Sequence, residues 1–83
     1  MQYRFFVDLE AVDFLAASKP IVRRKLMAHL ATIESFPKTC SDYFESDSKG
    51  TRIEIAIHSA FAIHYWIDFA DRHVKVLRIS PAD

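Results

Sequence analysis

The feature that most constrains this chain is a change of hydrophobic period at Thr51. Beyond it, Ile53, Ile55 and Ile57 alternate with Arg52, Glu54, Ala56 and His58, and Phe61, Ile63, Tyr65 and Ile67 alternate with Ala62, His64, Trp66 and Asp68. A period of two is that of a β-strand with one apolar and one mixed face, so two strands are predicted here. If both apolar faces meet the same core, the connection must have an odd number of residues. A loop of His58, Ser59 and Ala60 puts Ile57 opposite Phe61 and Ile55 opposite Ile63. Glu54 is then expected across from His64, and Arg52 across from Trp66, on the face away from the core.

A third strand, His73 to Ile79, follows a polar turn from Asp68 to Arg72. Val74 and Val76 fit the apolar face. Strict alternation would also turn Arg78 inward, so a bulge is expected near the end of this strand.

Before Thr51 the period is helical. Val22, Leu26, Leu30 and Ile33 form one stripe in SKPIVRRKLMAHLATIESFPK, with Pro20 in the first turn and Phe36-Pro37 at the end. A shorter helix carries Leu9, Val12, Leu15 and Ala16 behind Asp8 as N-cap, with Glu10 in its first turn, and ends near Ala17. So short a link predicts an antiparallel αα-hairpin. Tyr3 to Val7 reads as an N-terminal strand, and Lys38 to Gly50 as irregular, with Tyr43 and Phe44 anchored on the core. The expected fold class is α+β: strand, αα-hairpin, three-strand antiparallel meander.

Eighty-three residues make one domain, residues 1–83, with a core small enough to lean on a partner. Eleven basic and eleven acidic side chains argue against a wholly nucleic-acid-binding surface. One cysteine, Cys40, forms no internal disulfide, and no apolar leader or membrane-length segment is present, so the cytoplasm is the expected location. The single glycine excludes a glycine-rich phosphate loop. His58 and His64 lie on neighbouring strands, but Cys40 is remote and no paired ligand spacing occurs, so neither a metal nor a cofactor is expected. In the Arg23, Arg24, Lys25 run, successive helix positions point apart, the pattern of a solvated face.

The element order, the strand AIHYWID, the acidic turn and the strand VKVLRI together resemble the RelE/ParE superfamily of type II toxin–antitoxin toxins. Ile63, Tyr65 and Ile67 match the penultimate strand, Asp68 and Asp71 the turn, and Val74, Val76, Leu77, Arg78 and Ile79 the last strand. The Leu77-Arg78-Ile79 step is nearer to ParE-like and plasmid-stabilisation proteins. Two departures stand out: Phe61-Ala62 occupies a place where the family carries arginine, and Ser80-Pro81-Ala82-Asp83 replaces a basic, aromatic tail.

The resemblance implies a toxin that binds a target protein such as DNA gyrase and is neutralised by a cognate antitoxin. One alternative it implies is a ribosome-dependent mRNA endonuclease. The other is a non-toxic relative that only binds a partner. For RNA cleavage the candidates on the mixed face are His64 as acid or base, Glu54, and Arg52 as the phosphate-stabilising cation, with Trp66 available to stack on a base. The simpler reading is that Glu54 and His64 form an ordinary cross-strand polar pair, with Trp66 covering an apolar patch where a partner's segment docks. Trp66, Phe61, Leu77 and Arg78, with Met27 on the second helix, are the candidate partner contacts.

Overall fold

A computed structural model describes residues 3–82. The elements are β1 (Arg4–Val7), α1 (Leu9–Ala17), α2 (Pro20–Ser35), β2 (Tyr43–Ser46), β3 (Arg52–His58), β4 (Phe61–Asp68) and β5 (His73–Pro81). They form one five-stranded sheet of order β1-β5-β4-β3-β2, with both helices on one face. The α+β class and the strand–hairpin–meander order are as expected. Among the described residues, no helix is long and apolar enough to cross a membrane.

The helices form where the sequence places them. Asp8 takes extended backbone and its Oδ1 accepts from the Leu9 N–H, while Pro20 opens α2. Arg23 departs from the expectation of a solvated face. Its guanidinium reaches back across the two-residue link and donates to the carbonyls of Leu15 (2.9 Å), Ala16 (3.2 Å) and Ser18 (2.8 Å). The C-terminal carbonyls of a helix lack intrahelical partners, and a cation there also complements the helix dipole. A side chain of α2 thus closes α1.

The N-terminal strand joins the sheet by lying parallel to β5, with Phe5 beside Val74 and Val7 beside Val76. The segment expected to be irregular contains one more strand: β2 runs antiparallel to β3 and places Tyr43 opposite Ile55. All four of its residues are exposed, so it has no buried side to impose a period of two. Asp47 organises the turn that follows. Its Oδ1 accepts from the N–H groups of Lys49 and Thr51, and Gly50 sits at φ 82°, where only glycine is unstrained.

The β3–β4 register corrects the odd-loop expectation. The loop is Ser59-Ala60, two residues, with Ser59 at φ 57°, the left-handed backbone that such short hairpins require. His58 pairs with Phe61, Ile57 with Ala62, Ala56 with Ile63, Ile55 with His64 and Glu54 with Tyr65. The face that β3 turns to the helices is therefore Glu54 and Ala56, and its isoleucines go to the other side. Ala56, wholly buried, packs with Ile63, Tyr65, Val74, Val76 and Ile79 against Ala11, Leu15, Leu26, Leu30 and Ile33. Tyr65 anchors the α2–β2 connection: its buried hydroxyl donates to the Pro37 carbonyl at 2.6 Å. Burial pushes its pKa far above the ordinary tyrosine value.

The expected bulge lies at Leu77. His64 faces Arg78 while Tyr65 faces Val76, so one residue of β5 is extra. The slip lets Val74, Val76 and Ile79 all face the core and turns Arg78 outward.

Candidate functional site

The helix-free face of the sheet carries Ile53, Ile55 and Ile57 from β3, Ala62, His64 and Trp66 from β4, and Lys75, Leu77 and Arg78 from β5. Near its middle is a groove of about 350 Å³. His64, Leu77, Arg78 and Ile53 line it, together with Asp8 and Glu10 from the start of α1 and Glu45 and Asp47 from β2 and its turn. Four strands, β2 to β5, and the start of α1 thus contribute to this groove.

His64 is 9% exposed, and its Nε2 lies 3.2 Å from Ser80 Oγ. Burial lowers its pKa below the ordinary histidine value, and the Arg78 guanidinium lowers it further, against a smaller upward pull from Glu45 and Glu10. A neutral imidazole beside a cation is the result. Arg78 itself is exposed over the strand.

Glu54 and Arg52 are elsewhere. Glu54 faces Tyr65, not His64, and Arg52 pairs with Ser46 of β2 rather than standing across from Trp66. Arg52 Nε donates to Glu54 Oε2 at 2.6 Å, and its guanidinium carbon lies 3.7 Å from the Phe44 ring centroid. Glu54 is buried while Arg52 is largely exposed, and Lys38, Ile67 and Phe69 share their hollow. The three residues expected to act together in RNA cleavage are therefore split by the sheet, because the two-residue loop shifted the register by one.

The partner-contact candidates are divided as well. Trp66, Leu77 and Arg78 share the open face, whereas Phe61 points to the helix side and meets Phe14 edge-on at 5.7 Å. Met27, half-exposed, lines a different groove of about 490 Å³ with Phe5, Val7, Val12, Leu30 and Glu34. Asp8, Glu10, Glu45 and Asp47 were missing from the sequence-based set. Asp8 and Glu10 carry the pattern of a helix start, and Glu45 of β2 and Asp47 of its turn come near His64 only once that strand joins the sheet.

No family model and no curated protein sequence matches the chain. Solved structures do. A chain of the RelBE2 toxin–antitoxin complex from Mycobacterium tuberculosis superposes with a TM-score of 0.80 at 17% identity, covering 98% of this chain and 99% of that one. A chain of the archaeal RelE–RelB complex from Pyrococcus horikoshii gives 0.80 at 18% identity, with 99% and 97% covered. The isolated E. coli RelE toxin gives 0.76 at 15% identity, with 98% and 85% covered. The chain thus shares the α+β fold of these RelE structures.

Proposed function

We propose that the chain is the toxin, or a toxin-like member, of a type II toxin–antitoxin pair in the cytoplasm, held by a cognate antitoxin and acting by binding a target protein rather than by cleaving RNA. The observation that carries this reading is the separation of His64 from Glu54 and Arg52 by the thickness of the sheet. General acid–base cleavage needs its groups around one phosphate, and those three cannot surround one. The charge of the open groove points the same way: its lining carries four carboxylates, Asp8, Glu10, Glu45 and Asp47, against the Arg78 guanidinium, with Lys75 beside Asp8 at 4.0 Å. A phosphate backbone rewards the opposite balance.

The similarity to chains crystallised in RelBE complexes supports an antitoxin partner. The groove lined by Phe5, Val7, Val12, Met27 and Leu30 has the apolar lining that an amphipathic segment of such a partner buries. The open face, with Trp66, Leu77 and Arg78, is left for the target, and DNA gyrase is the target that the ParE side of the resemblance implies.

The test is induced expression in a bacterial host of the wild type, His64→Ala and Trp66→Ala, following growth, mRNA integrity and plasmid supercoiling. Growth arrest with intact mRNA and altered supercoiling, relieved by Trp66→Ala in a protein that remains folded, is expected. Arrest with mRNA cleavage that His64→Ala abolishes would restore the endonuclease. Unaffected growth with folded protein accumulating would leave a non-toxic partner-binding protein.

A further inference from the structure

The turn between β4 and β5 brings together three groups that the proposed function does not use. Asp68 ends β4 and His73 opens β5 directly opposite it, and the intervening residues carry Asp71 back over the pair. One ligand atom from each of Asp68, Asp71 and His73 lies within 4.8 Å of the others. Asp68 Oδ2 is 3.8 Å from His73 Nε2, too far for a hydrogen bond, but a separation that an ion about 2.1 Å from each atom bridges.

The positions are held from outside. Asp68 Oδ1 accepts the Asp71 N–H at 3.0 Å, which orients the carboxylate and leaves Oδ2 turned to the imidazole. The His73 ring is gripped between Phe6 and Trp66, each edge-on with centroids 5.4 Å away. Its Nδ1 is buried without a hydrogen-bond partner, so Nε2 is the nitrogen presented to the carboxylate. Among the described residues, no lysine or arginine forms a salt bridge with Asp68 or Asp71. The two carboxylates therefore sit close together with an imidazole as their neighbour and no fixed cation.

From this geometry we propose that Asp68, Asp71 and His73 bind a divalent first-row transition-metal ion, with remaining coordination positions open to water. Two carboxylate oxygens and one imidazole nitrogen suit manganese, cobalt, nickel or zinc, and the lack of a thiolate makes the site unattractive to softer ions. The sequence expectation of no metal rested on ligand spacing read along the chain. It is the pairing of Asp68 with His73 across the hairpin that assembles this set. A bound ion would pin the turn beside Trp66, at the rim of the open face, whether or not the protein is a toxin.

Trp66 is the only tryptophan and lies against His73, so it reports on the site. The protein is titrated with Co²⁺ and Ni²⁺ by tryptophan fluorescence and with Zn²⁺ by calorimetry. A saturable, chelator-reversible quench at one ion per chain is expected. Asp71→Asn, an exposed change that leaves the packing intact, should weaken binding about tenfold or more. His73→Gln should do likewise, and a His29→Gln/His58→Gln double variant should bind as the wild type does. Absence of saturable quenching, equal affinity in Asp71→Asn, or loss of binding in the His29/His58 variant would overturn the assignment.

Discussion

Ile55 of β3 stands directly opposite His64 of β4, on the sheet face that carries no helix, and neither is more than 9% exposed. This pair replaces the Glu54–His64 pair that matching apolar faces would have formed. It makes the open face a half-apolar floor with a neutral imidazole in it rather than a polar reaction centre.

The register has a direct consequence for stability. Ala56 is in the core and Ile57 is 38% exposed on the other face. Ala56→Asp is expected to cost about 3 kcal/mol or more, the cost of an unpaired buried charge, and Ile57→Asp under about 1 kcal/mol. Chemical denaturation of both variants checks this. A larger loss for Ile57→Asp would reinstate the odd loop.

Arg23 is expected to be worth far more than its neighbour in the basic run. Three carbonyls at the end of α1 accept from it, partly shielded from solvent. Arg23→Ala should lower stability by about 1.5–3 kcal/mol, the usual range for hydrogen bonds to a charged group. Exposed Arg24→Ala should stay within about 0.5 kcal/mol of wild type. Equal effects in urea melts would mean that the guanidinium does not close the helix in solution.

Acid should destabilise the fold through its histidines. Burial holds the pKa of His64 below its ordinary value, as it does for His29, whose ring stacks on His58 at 4.2 Å. The unfolded chain then takes up protons at a higher pH than the folded one does. Stability should be level above the ordinary histidine value of about 6.5 and fall as pH drops from there toward the folded-state values. His64→Gln should flatten part of that slope in denaturation midpoints measured from pH 7.5 to 5. An unchanged slope would mean that His64 titrates as an exposed histidine.

Local signals were enough for most elements of the fold. The stripe of Val22, Leu26, Leu30 and Ile33, the Asp8 cap, Pro20 and the alternating strands mark segments whose backbone preference and burial agree, so their type could be read directly. The bulge was legible for the same reason: Arg78 falls on an apolar phase that a charged group leaves.

What the chain could not settle by itself is which face of β3 meets the helices and which strands neighbour which. Both faces of β3 and β4 carry apolar residues, so polarity does not choose between registers that differ by one. The two-residue turn at Ser59-Ala60, and the fit of small Ala56 in the core, do choose. β2 lacked a buried side, and the parallel pairing of β1 with β5 joins residues some seventy positions apart. Residue pattern alone thus decided every element but β2, through local backbone preference and hydrophobic period. Only tertiary structure decided that Glu54 and Arg52 lie apart from His64 and that Asp68, Asp71 and His73 lie together, because a side chain's neighbours across a sheet depend on a register that no single strand contains.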